Sequence, residues 1–145
     1  MMYVTNFVYA LICTIGFAIV FNVPKTSLIK SGFGGALGWT VFITINHFFQ
    51  SVVVATFIAS FIIALIGEAF AIIDRQPLTV YIIPGIVPLV PGFGLYYTML
   101  SILEENYELA INHGSESIMI AISIAAALTI VLSLNSYRKK RRSNF

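Results

Sequence analysis

Chemistry in this chain has few places to reside, and the first is a run of prolines and glycines within apolar sequence, Tyr81-Ile-Ile-Pro-Gly-Ile-Val-Pro-Leu-Val-Pro-Gly-Phe-Gly-Leu-Tyr-Tyr97. On a helix, Pro84, Pro88 and Pro91 fall at i, i+4 and i+7, which is one face. A proline has no N–H to give the carbonyl four residues back, so the carbonyls of Val80, Pro84 and Val87 lose their partners on that same face. Such a row can coordinate a cation, a file of water or a substrate amine, while Gly85, Gly92 and Gly94 allow close approach. The plainer alternative is a kinked helix whose freed groups are satisfied by neighbouring helices.

A second candidate is Glu68, an acid in the apolar run Val52–Ile73, six residues before Asp74 and so roughly 9 Å inside that end of a helix. A carboxyl there is expensive unless paired, neutralised or hydrated. It reads either as a proton or cation site coupled to transport, or as a side chain that reaches the interface or pairs with Arg75, one heptad on. Tyr96 and Tyr97, beside the Pro-Gly run, are candidates for substrate contact. Along with Trp39, Tyr3, Tyr81 and Tyr137, they equally suit anchoring at a membrane interface.

Other chemistry is thinly represented. His47 and His113 are isolated, with no second ligand at metal spacing, and Cys13 stands alone in an apolar run, so neither a metal site nor a disulfide framework is expected. Gly32-Phe-Gly-Gly-Ala-Leu-Gly38 is glycine-rich but follows no strand and fails the dinucleotide pattern. No catalytic triad, carboxylate pair or phosphate loop is present. Neither an enzymatic activity nor a cofactor is expected, and five basic residues in a tail beside a membrane span argue for anionic lipid rather than nucleic acid.

Composition dictates what must position these residues. Of 145 residues, 59% are hydrophobic and 10% charged, and the mean hydropathy is +0.94, the signature of an integral membrane protein. The expected fold class is all-α and polytopic, one membrane domain over residues 1–145. Apolar runs long enough to span fall at Val4–Val23, Gly32–Asn46, Val52–Ile73, Thr79–Leu103 and Ile118–Leu134, followed by a basic tail over 135–145. The second run is short and opens on glycines, which leaves a four-span arrangement open. Met1 to Ala10 lacks basic residues and no small-residue cleavage site follows, so the first segment is expected to be retained.

Five alternating spans put all eight basic residues (Lys25, Lys30, Arg75 and the five of Arg138–Arg142) on one side. The Glu104–Ser117 loop, with Glu104, Glu105, Glu108 and Glu116, falls on the other. The positive-inside rule then predicts an outside N-terminus and a cytoplasmic C-terminus. Small-xxx-small pairs, Ser31/Gly35, Gly34/Gly38, Ala55/Ala59 and Ser60/Ala64, suit close packing of the second and third spans.

Three segments together, Gly16-Phe-Ala-Ile-Val-Phe-Asn-Val-Pro24 with its basic loop, Gly35-Ala-Leu-Gly-Trp39, and Pro84-Gly-Ile-Val-Pro-Leu-Val-Pro-Gly92, resemble the small subunit of the threonine/serine exporter family. The resemblance covers most of the chain, and the Pro-Gly run is its most specific part. It carries over at Asn22, Pro24, Gly38, Trp39, Arg75, Pro77, Pro84, Gly85, Pro88, Pro91 and Gly92. It implies a plasma-membrane complex with a larger membrane subunit, exporting a small polar solute: threonine, serine or a dicarboxylate such as succinate. The mechanism expected is alternating access around the Pro84–Gly92 break, driven by an ion gradient through Glu68. A rival reading makes the chain a scaffold for a partner that holds the whole pathway; a membrane-embedded enzyme, with Glu68 as its only candidate group, is a weaker one.

Overall fold

With no water inside a bilayer, every backbone N–H and C=O must be satisfied within the chain, which forces apolar runs into helices even where glycine would break them in solution. The structure, a computed structural model, describes residues 2–143, with side chains over 3–134; the side chains of the basic tail at 135–145 therefore lie outside the described residues. Six helices follow one another: α1 (Met2–Val20), α2 (Lys25–Phe49), α3 (Val52–Asp74), α4 (Thr79–Ile86), α5 (Gly92–Leu103) and α6 (Tyr107–Ser143), with a short 3-10 turn at Val87–Leu89 between α4 and α5. No strand occurs among the described residues. α1, α2, α3 and α6 are each long and apolar enough to cross a membrane, and α4 with α5 forms a fifth candidate bent by 48° at the break.

Two helices run further than their apolar stretches suggest. α2 starts at Lys25, not Gly32, so that Lys30 is helical rather than in a loop. Its glycines do not break it because neighbouring side chains occupy the space they leave. A Cβ at Gly32 would meet Ile15 at 2.5 Å, and at Gly35 and Gly38 it would overlap Thr14 and Ile63. α6 starts at Tyr107, where Asn106 Oδ1 accepts the Leu109 N–H at 3.3 Å. The expected acidic loop therefore shrinks to 104–106, and Glu108 and Glu116 are helical.

Each reversal places a residue with positive φ at its corner: Asn22 (55°), Gln50 (51°), Arg75 (53°) and Glu105 (59°). Asn22 closes α1 in a Schellman-type turn, in which Val23 N donates to Ala18 O at 2.9 Å. Pro24, with its φ already fixed, then opens α2. Arg75 closes α3 in the same way, Gln76 N reaching Ala71 O at 3.2 Å, and Pro77 follows.

Contact register settles the course of the broken segment. Along α3, Gly67 meets Leu78, Tyr81 and Ile82, Ile63 meets Gly85, and Ala59 shares a cluster with Leu89, so α4 runs antiparallel to α3. α5 continues in that direction: Gly94 meets Ser117, and Gly114 meets Thr98. α6 then returns parallel to α3, because Ala59 clusters with Ile120 and Ile124 while Ala64 clusters with Val131. A re-entrant hairpin would have left α6 antiparallel to α3. The α4–α5 pair thus runs along the bundle from one end toward the other, with Lys25, Lys30, Arg75 and the end of α6 at one face.

The core lies where α2, α3, α4 and α6 meet. Ala55, Ala59, Ser60 and Ala64 on α3 and Ser31, Gly34, Gly35 and Gly38 on α2 are buried, as the small-residue spacing anticipates. Trp39 lies mid-helix, half-buried, stacked on Phe42 and packed on the Ala59–Ile63 cluster.

Candidate functional site

The break between α4 and α5 is built by tightening rather than by leaving carbonyls open. Val87 N donates to Pro84 O, and Val90 N to Val87 O at 3.2 Å, so two of the three carbonyls expected to be free are taken up by 3-10 geometry. Gly92 N then donates to Val90 O at 2.7 Å across Pro91 (φ −76°, ψ 54°), an inverse γ-turn that redirects the chain into α5. Val80 is the remaining residue whose fourth successor, Pro84, has no N–H to give.

Val80 also borders a cleft. Phe21, Asn22, Val23 and Pro24 at the α1–α2 corner face Thr79, Val80, Ile83 and Pro84 on α4 across a space of about 340 Å³. The polar side chains at its edge are the Asn22 amide and the Thr79 hydroxyl. Three residues singled out in the sequence, Asn22, Pro24 and Pro84, are thus brought to one place from segments some 60 residues apart.

The other candidates are placed differently. Gly85 is buried behind Pro84 against Ile63 of α3 and Gly35 of α2, where an added Cβ would stand 3.0 Å from Ile63 Cγ2 and 3.9 Å from the Gly35 backbone. Pro88 and Pro91 are half-buried, and Gly92 is exposed with nothing within 4 Å of an added Cβ. Tyr96 is exposed on α5, its ring edge-on to Tyr97. Glu68 is buried at 7% exposure on α3. It lies nine residues, roughly 13 Å, from the level of Ala59 and Leu89 at about 1.5 Å per residue, so the fold does not bring it to the break. Gly38 and Trp39 belong to the α2–α3 packing, and Arg75 and Pro77 to the α3–α4 corner.

One polar cluster escaped the sequence reading. Lys30 of α2 donates to Asp74 Oδ1 at the end of α3 in a close ion pair, and Tyr81 of α4 donates to Asp74 Oδ2 at 2.5 Å. The Tyr81 hydroxyl also lies 3.0 Å from the Ser27 hydroxyl of α2. This cluster ties α4 to α2 and α3. Its signal was present in the opposite charges at Lys30 and Asp74, but starting α2 at Gly32 hid it by leaving Lys30 in a loop.

A bundle of four long apolar helices and one bent helix pair, broken by prolines beside a cleft, is the build of a multi-pass membrane transport protein. The chain belongs to the threonine/serine exporter family: the family described as Threonine/Serine exporter, ThrE, matches residues 6–134. A Haemophilus influenzae protein described as uncharacterized is 29% identical over 99 residues, which is 68% of this chain and 33% of that protein. The chain therefore spans about a third of the length of this curated relative. No solved structure matches it.

Proposed function

We propose that this chain is one subunit of a secondary exporter in the plasma membrane, acting with a larger membrane subunit to move threonine, serine or a C4-dicarboxylate out of the cell. The observation that carries this reading is the broken crossing: Pro84 forms one wall of the cleft, and α4 and α5 meet at 48° immediately beyond it. A hinge beside a solute-sized space is what alternating access requires. Pro84, Gly85, Pro88, Pro91 and Gly92 form the moving segment, with Tyr96 on its outer arm, and Glu68 is the acid through which an ion gradient drives it. The N-terminus lies outside and the basic end of the bundle faces the cytoplasm.

Export of accumulated threonine, serine and succinate from cells lacking the gene tests this, with complementation by this chain, by the larger subunit, or by both. Restoration of one solute by the pair alone supports the two-part exporter and names its substrate. Wild-type export rates from normally inserted Pro88→Ala and Glu68→Gln variants would sink the mechanism.

The scaffold reading draws support from the glycine contacts between α1, α2, α3 and α4, which are those of a rigid packing unit. Photo-crosslinking of a substrate analogue separates the two readings, since a scaffold's Pro84–Gly92 segment stays unlabelled.

A further inference from the structure

Hydroxyls in this bundle are generally satisfied by their own helix. Thr40, Thr44, Thr56, Thr98, Ser117 and Thr129 each donate to the carbonyl four residues back, and Ser123 to the one three back. That is the expected state of a hydroxyl with no water to bond. The Thr14, Ser31 and Ser60 hydroxyls depart from it, being buried without a hydrogen-bond partner.

Thr14, fully buried on α1, occupies a telling position. Its Oγ1 points at Gly35 of α2, closely enough that even a methyl group there would overlap it. The Gly35 backbone in turn faces Gly85 of α4, with 3.9 Å between the Gly35 Cα and an added Cβ on Gly85. Gly85 directly follows Pro84, the wall of the cleft. From the cleft inward the order is therefore Pro84, the glycine contact between α4 and α2, then a buried hydroxyl with unused hydrogen-bonding capacity. Leaving such a group unsatisfied is destabilising, and a ligand that bonds it during turnover accounts for its position.

We propose that the Gly35–Gly85 contact is the closed constriction of the solute pathway and that Thr14 Oγ1 is a solute-binding group exposed when it parts. A hydroxyl both donates and accepts, so the solute it suits is small and presents a carboxylate or hydroxyl of its own. This deepens the exporter reading and rests on it.

Two measurements on the full chain in cells with its native partner test the proposal. In a Cys13→Ala background, Thr14→Cys should be labelled by a small charged methanethiosulfonate, and saturating exported solute should slow that labelling several-fold. Ala127→Cys, equally buried on α6, provides the dry reference, and labelling at position 14 no faster than there overturns the proposal. In export assays, Thr14→Val should raise the half-saturation concentration about tenfold with little change in maximal rate, while Thr14→Ser restores it. If Pro88→Ala abolishes export but Thr14→Val matches wild type in both parameters, the assignment of Thr14 fails while the exporter reading stands. If the wild-type pair exports none of the three solutes, both fail.

Discussion

Glycines on α2 have little to do with flexibility here, because each is a socket for a side chain of another helix. Gly38 receives Ile63, whose Cγ2 also lies 3.0 Å from where a Cβ on Gly85 would stand. Gly38→Ala should therefore cost about 1–3 kcal/mol by overpacking, seen as a lower unfolding temperature in detergent. Adding Ile63→Ala should recover part of the loss, giving a double-mutant coupling that independent sites would not show. At the basic end, Tyr81→Phe removes the hydroxyl shared by Ser27 and Asp74 and should cost about 1–2 kcal/mol in the same assay. Asn22 was legible as part of a motif but not in its role, since nothing in Asn-Val-Pro by itself distinguishes a ligand from a left-handed helix cap. The Ser27–Tyr81–Asp74–Lys30 cluster was illegible because it joins three helices, and its members become neighbours only once the boundary of α2 is known.

At the level of elements, each apolar run coincides with a helix or, for Thr79–Leu103, a bent helix pair, and the differences lie at the ends. Glycine, lysine and the acids of the α6 start lower a hydropathy average without stopping a helix that lipid and neighbouring side chains enforce, so α2 begins at Lys25 and α6 at Tyr107. The proline spacing correctly marked a break, yet a regular-helix template misjudged its interior, because a chain without an N–H to spare tightens to 3-10 geometry and pairs the Pro84 and Val87 carbonyls. The traverse of α4 and α5 makes a direct prediction. Cysteines replacing Asn106 and Gln50 should react with an impermeant thiol reagent from one side of the membrane, and cysteine replacing Gln76 from the other. Asn106→Cys and Gln76→Cys reacting from the same side would mean a hairpin that turns back.

The whole molecule is asymmetric in charge and in packing. Lys25, Lys30 and Arg75 lie at the face where α6 ends, and Glu104, Glu105 and Glu108 lie at the opposite one. Neutralising the five basic residues of Arg138–Arg142 together with Lys25 should yield a mixed population of orientations, read from a reporter fused at the C-terminus. A final consequence concerns the order of assembly. Neighbouring helices α1, α2 and α3 pair as antiparallel hairpins and can dock as soon as each is inserted, whereas the α3–α6 seam joins parallel helices separated by a full crossing. During synthesis, the side of α3 that packs against Ile120, Ile124 and Val131 must wait for α6, although α4 already covers part of the same face through Leu89 and Ile82. The nascent protein is thus open along one side until α6 arrives, and truncation before Ile120 should leave an intermediate of α1 to α5 that membrane quality control removes.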